Sequence, residues 1–174
     1  MAINSKKKGS RGERSVVHLL NTWSGIEFQR TPQSGGLRWK KSDNISGDII
    51  CTEPNFIFPF SIEVKFHQDI NFEELLRTDK KKVKIKMFWD QALQDSERAK
   101  KLPLLFLRYN GLPKSFHFIV MLQTHFKKFK PKLDLSCPYL RVNNGIVIMH
   151  QGVLLNSNFS SIIRIGKKIL KVHG

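Results

Sequence analysis

A helix-compatible run over residues 88–101, set between two strand-like segments, most constrains what this chain can fold into. Phe88, Trp89, Ala92, Leu93 and Ala99 recur on one side of that run, the spacing of an amphipathic helix. Pro103 closes it, and residues 104–108 read as a buried strand. A strand, a helix and a second strand in this order make a crossover, which sets two strands parallel. Ahead of it, 26–31, 49–51 and 56–66 read as strands joined in a meander, with Pro59 weakening the start of the third or placing it at a bulge. Behind it, 116–122 follows a turn at Asn110-Gly111-Leu112-Pro113. An opening helix over 12–23 carries Val16, Val17, Leu19, Leu20 and Trp23. The expected fold is therefore α/β, a mixed central sheet flanked by helices.

The remaining segments are less regular. Residues 70–86 form a charged connection, in which Val83, Ile85 and Met87 alternate with lysines as a short exposed strand would. Beyond Thr124 a basic stretch (Lys127, Lys128, Lys130, Lys132) precedes two short strand-like runs, 139–142 and 145–149, and the last twenty residues are open between helix and strand. The chain divides into a basic N-terminal arm (1–10), mobile until it meets phosphate, a core (11–122) and a C-terminal extension of unassigned role (123–174). With 174 residues, one domain burying roughly 70% of its unfolded surface needs no covalent staple. Cys51 and Cys137 make no metal-ligand spacing, and the six histidines show none either. No apolar run approaches the roughly 20 residues of a membrane span, and the two cysteines, in no disulfide framework, make a reducing intracellular setting, cytoplasmic or nucleoid-associated, the expectation.

Thirty Lys+Arg against 14 Asp+Glu give a net charge of +16. A charge of that size calls for a polyanion, and nucleic acid is the expected partner. An anionic membrane is the competitor, but no continuous basic amphipathic helix stands out in the sequence.

Against this excess of cations, the placement of a few carboxylates stands out. Gly47-Asp48 opens the short apolar strand 49–51, and Ile62-Glu63-Val64-Lys65 lies on the next. Ile62 and Val64 point to one face of that strand, so Glu63 and Lys65 share the other. If the two strands pair, Asp48 joins them. Two carboxylates can hold Mg²⁺ while leaving places for water and phosphate, and a lysine beside them can stabilise developing negative charge. This is a set suited to phosphodiester hydrolysis. Each residue alone also has a plain reading, Asp48 in a turn and Glu63 and Lys65 as an exposed strand pair. Glu13, early in the first helix, is a helix-dipole carboxylate or a further member of the set. Gln91 is either an exposed helix glutamine or a supporting group. His67, two residues past Lys65, is the one histidine near the set.

The blocks Gly9-Ser10-Arg11-Gly12-Glu13-Arg14, Arg30-Thr31-Pro32-Gln33-Ser34-Gly35-Gly36, Gly47-Asp48, Ile62-Glu63-Val64-Lys65 and Trp89-x-Gln91, in this order, resemble the PD-(D/E)XK nuclease superfamily, and within it the archaeal-type Holliday junction resolvases. The resemblance covers roughly residues 6–109. It implies a restriction-endonuclease-like core, a homodimer and Mg²⁺-dependent cleavage of DNA (with Mn²⁺ as a substitute), most readily branched duplex, and no small-molecule cofactor. It carries Glu13, Asp48 and Glu63 onto the family's acidic residues, Lys65 onto its catalytic lysine, Ser34 onto a loop serine near the scissile phosphate, and Gln91 onto the helix glutamine. Metal ligands would be Asp48, Glu63 and the Val64 carbonyl, with Glu13 sharing that ion through water or holding a second one. Gly47 stands where the superfamily has proline, the 70–86 connection is longer than in minimal resolvases, and residues 110–174 match nothing. Candidate phosphate contacts are Lys6, Lys7, Lys8, Arg11, Arg14, Arg30, Arg38, Lys40, Lys41, Lys80, Lys81 and Lys82, each with the alternative of a solvated surface cation. Trp39 in the 33–39 loop could wedge at a branch point or simply pack. Two other functions stay open: a sequence-reading homing or restriction-type enzyme of the same superfamily, and a binding protein without turnover.

Overall fold

The structure, a computed structural model, describes residues 5–31, 47–75, 83–142 and 145–173. One seven-stranded sheet organises them, built from β1 (Phe28–Arg30), β2 (Ile49–Cys51), β3 (Phe60–His67), β4 (Leu102–Tyr109), β5 (Phe118–Leu122), β6 (Tyr139–Val142) and β7 (Ile146–His150). Their order is β1-β2-β3-β4-β5-β7-β6. β3 and β4 are parallel, with Glu63 opposite Leu105, and all other pairs are antiparallel. The mixed α/β sheet read from the sequence is therefore the observed one. Its single parallel pair is joined through α2 (Lys84–Arg98), as the crossover required.

Both faces of the sheet are covered. Phe60, Ile62 and Val64 of β3, with Leu102, Leu104 and Phe106 of β4, share a core with Val16 and Leu20 of α1 (Ser5–Ser24), Phe126 and Phe129 of α3 (Gln123–Phe129), and Ile162 of α5 (Phe159–His173). Leu105, Leu107, Val120 and Ile148 form the opposite core under Ile85, Trp89 and Ala92 of α2. β4 thus alternates between two interiors and reads as one apolar run. Glu63 and Lys65 lie, by the same alternation, on the α2 face.

Three expectations change. Residues 83–87 do not form a strand: α2 begins at Lys84. Ile85 heads the stripe Ile85–Trp89–Ala92–Ser96, buried at helical spacing, whereas Met87 is exposed. Second, α1 starts at Ser5, so the helix runs back through residues assigned to a mobile arm. Third, the 123–174 segment is continuous with the core, since it supplies β6 and β7 to the same sheet and α3, α4 (Gly152–Leu155) and α5 to its covering layers. The ambiguous C-terminus resolves as helix because Ile162, Ile163, Gly166 and Ile169 fall on one buried stripe.

One buried histidine sets a pH prediction. His117 is fully buried with neither ring nitrogen in a well-formed hydrogen bond. Burial first, then the nearby Arg108 charge, push its pKa down from 6.5 to about 4. The unfolded chain takes up the proton near pH 6.5 and the folded one only near 4. Stability from this group is therefore complete above pH 6.5 and drains away as pH falls toward 4, by about 3 kcal/mol at most. Urea unfolding of wild type and His117→Phe at pH 7 and pH 4.5 should show the wild type losing more; equal losses would refute the assignment.

Candidate active site

The site forms where β2 opens beside β3. Gly47 takes φ +77° and bridges to Ile62. The Asp48 N–H donates to the Ile62 carbonyl at 2.7 Å, and the Thr31 N–H donates to the Asp48 carbonyl at 2.8 Å. The Thr31 hydroxyl donates to the Gly47 carbonyl, also at 2.8 Å. Held from both sides, Asp48 turns its carboxylate toward β3, where Oδ2 accepts the Val64 N–H at 2.8 Å. The expected pairing of the two strands is therefore present, and it carries Asp48 to Glu63.

Glu63 is 3% exposed. Lys65 Nζ stands 2.5 Å from its Oε1, yet off the line of a hydrogen bond, which leaves that buried oxygen without a well-aligned donor. The ammonium itself stays partly open to solvent and lies 5.9 Å from the centroid of the Phe88 ring. Burial pushes the Glu63 carboxyl up to about 7, with the Asp48 charge adding to it and Lys65 only partly offsetting it. Asp48 is also raised, by burial foremost, against the lowering effect of the Val64 amide and Lys65; Glu13 and Asp95 add to the rise. Like charges crowded out of water are costly unless a cation joins them.

Glu13 is treated differently. It is 5% exposed on α1, which packs on the Val64 face of the sheet rather than the Glu63 face. Arg30 Nε donates to its Oε2 at 2.5 Å. Among the described residues no three His, Cys, Asp or Glu side chains gather as a metal-holding group, although Glu13 bears electrostatically on Asp48. The donor set of Asp48 and Glu63 nonetheless fits a hard divalent ion: Mg²⁺ is commonly held by one or two carboxylates with water and phosphate completing its shell, and Glu63 Oε1 is buried with no well-aligned hydrogen-bond partner.

The other candidates divide. Gln91 is exposed on α2, one turn from both Phe88 and Asp95 on the stripe nearest Lys65. Arg11 and Arg14 are exposed, and Arg30 is occupied by Glu13. The backbone at Lys6, Lys7 and Lys8 is helical. Ser34, Arg38, Trp39, Lys40, Lys41, Lys80, Lys81 and Lys82 lie outside the described residues. His67 is turned aside, its Nδ1 3.0 Å from the Asp69 carbonyl and 3.3 Å from Oδ1 of the Asp69 carboxylate. Sequence reasoning missed Asp95, which bears electrostatically on both Asp48 and Glu63 while pairing with Arg98 at 2.8 Å. Its nearness to the pair depends on how α2 lies across the sheet, which no spacing along the chain reports.

A mixed sheet with helices on both faces, carrying Asp48, Glu63 and Lys65 on adjoining strands, is a restriction-endonuclease-like fold of the PDDEXK class. The chain belongs to the family described as "Phage putative PDDEXK endonuclease", whose model matches residues 4–147. That match reaches past the core into β6 and the start of β7. Among curated proteins the chain is similar to Protein D14 of Escherichia phage T5, 29% identical over 109 residues, which is 62% of this chain and 66% of that protein's length. It thus spans just under two thirds of this relative. No solved structure matches it.

Proposed function

We propose that the protein is a Mg²⁺-dependent DNA endonuclease, and that its substrate is a four-way junction cut by a homodimer. The observation that carries the nuclease reading is the Asp48–Glu63 pair with Lys65 against it. The junction reading rests on the resemblance of the five ordered motif blocks to resolvases.

Asp48, Glu63 and the Val64 carbonyl would hold the ion. When bound, Mg²⁺ (or Mn²⁺ in its place) supplies charge neutralisation at phosphate oxygens and acidifies water. Lys65, beside Glu63, would meet the negative charge that builds on the phosphate. Gln91, on the open rim of α2, and Ser34 would position the phosphate or the attacking water. Glu13 fixes Arg30 at the end of β1, next to the Thr31–Asp48 contact, and so braces the site from behind. DNA is drawn to the site by the net charge of +16, with Arg11 and Arg14 exposed on α1 as phosphate contacts.

The test is cleavage with Mg²⁺ of labelled four-way junction, linear duplex and single strand. Paired symmetric nicks confined to the junction are expected, and Asp48→Asn and Lys65→Ala should abolish them while binding persists. Cutting of linear duplex at one site would replace the junction reading with the sequence-reading enzyme. Full cleavage by Asp48→Asn would overturn the site.

A further inference from the structure

We propose that the outer face of α5, with Phe56 beside it, is a second phosphate-binding surface that holds a DNA backbone away from the acidic site; this rests on reading the protein as an enzyme that acts on DNA. α5 spends its apolar stripe on the fold. Ile162, Ile163 and Ile169 are buried, and Gly166 approaches so closely that a Cβ there would meet Pro59 Cγ at 2.7 Å. Facing outward are Arg164, Lys167, Lys168 and Lys171, at spacings of three, four and seven that place them on one side of a helix.

These cations line an open groove of about 480 Å³ with Phe56 and Phe159. Lys167 Nζ stands 5.1 Å from the centroid of the Phe56 ring, and the two phenyl rings stack at 6.0 Å with 21° between planes. The groove contains no carboxylate, α5 has no acidic residue, and among the described residues none of the four cations forms an ion pair. Arg164–Lys168 and Lys167–Lys171 are like-charge pairs four apart, which repel. The helix dipole compensates cations only in the last turn, and Arg164 is the sixth of fifteen residues. The repulsion is left for an external polyanion to relieve.

A membrane surface would need the apolar face of such a helix, and here that face is already inside the protein. A nucleic-acid backbone needs only the basic face. Arg164 to Lys171 spans about 10 Å of helix, enough for roughly three phosphates of one strand at about 3.4 Å each along a duplex. On the inner side of α5, Gly166 meets Pro59 just ahead of β3; Lys65 is six residues further along, about 20 Å of strand, on the sheet face opposite α5.

The experiment compares wild type, Arg164→Gln/Lys168→Gln/Lys171→Gln, and a control that removes equal charge elsewhere, Lys100→Gln/Lys114→Gln/Arg141→Gln. All six side chains are exposed, and far-UV circular dichroism confirms folding. Affinity for labelled duplex and four-way junction is measured in EDTA between about 50 and 200 mM salt. The α5 variant should lower the slope of log affinity against log salt by about 2.7, at about 0.9 per lost phosphate contact, with the control near wild type. Equal slopes for wild type and the α5 variant, or equal falls for both variants, would overturn the proposal. So would loss of binding to anionic lipid vesicles by the α5 variant with its DNA slope unchanged. A wild type that binds no DNA would instead sink the nuclease reading, a result distinct from these.

Discussion

Glu63→Gln should lower cleavage by roughly a thousandfold or more and, in the same protein, raise the stability of the metal-free fold. The two effects have one cause. Glu63 is buried beside Asp48, and its carboxyl is pushed up to about 7 from 4.5. The unfolded chain releases that proton near pH 4.5 and the folded chain holds it until about pH 7. Stability from this group is therefore complete below pH 4.5, falls as pH rises through about 7, and stays low above it. At pH 8, in EDTA, the wild type carries a buried anion that the glutamine variant lacks, a difference of about 2–3 kcal/mol. Denaturant unfolding at pH 5 and pH 8 should show the wild type weakening and Glu63→Gln weakening less. Adding Mg²⁺ at pH 8 should restore the wild type, by about 2.7 kcal/mol when Mg²⁺ is a hundredfold above its dissociation constant, and leave the variant unmoved. Those readings need no catalysis. Cleavage by Glu63→Gln at the wild-type rate, or a variant no more stable than wild type at pH 8, would remove Glu63 from the site.

Such a gain on mutation marks a residue kept for chemistry at the expense of the fold. Asp48 belongs to the same class, since burial raises it too. Glu13 has Arg30 at 2.5 Å as Glu63 has Lys65, and removing it would strand a partly buried guanidinium.

What could be read from the sequence follows physical lines. β2 and β3 were legible because Ile49, Ile62 and Val64 alternate with the residues that carry the chemistry, and the period of two is a strong local signal. The crossover was legible because a helix between strands admits few arrangements. Residues 83–87 were misread because three alternating apolar residues look like a strand in isolation. Which period applied was decided by Trp89 and Ala92 further along, through burial on Leu105 and Leu107. The last twenty residues were unreadable for a related reason. Their isoleucines satisfy both periods, and burial against distant parts of the chain, Pro59 and Leu102 at Gly166 among them, selects the helix. The same long-range contacts hid the basic face of α5. Asp95 was missed because its proximity to Asp48 depends on how α2 lies across the sheet, and no spacing along the chain reports that.

Gly47→Ala should cost at least about 2 kcal/mol and abolish cleavage, although it removes no functional group. Gly47 holds φ +77°, where a side chain costs about 1–3 kcal/mol. A Cβ there would also stand 2.9 Å from the Ile62 nitrogen and collide with the Ile62 carbonyl oxygen. Those are backbone atoms of the strand that carries Glu63, so no side chain can rotate away to make room. Relief requires β2 to move off β3. The contacts that would stretch are the Asp48 N–H to the Ile62 carbonyl and the Val64 N–H to the Asp48 carboxylate, the two that place Asp48 against Glu63. The resemblance put a proline at this position in the superfamily. Proline cannot adopt this φ, so this chain reaches the approach of β2 by a different backbone route, and the glycine is what allows it. A thermal melt and a cleavage assay on Gly47→Ala decide the matter, with Gly25→Ala as reference: Gly25 has φ +70° and open space around its missing Cβ. Gly25→Ala should lose stability through strain alone and keep activity. Equal losses of stability in the two variants, or a Gly47→Ala protein that still cuts, would show that the clash with Ile62 does not hold the site together.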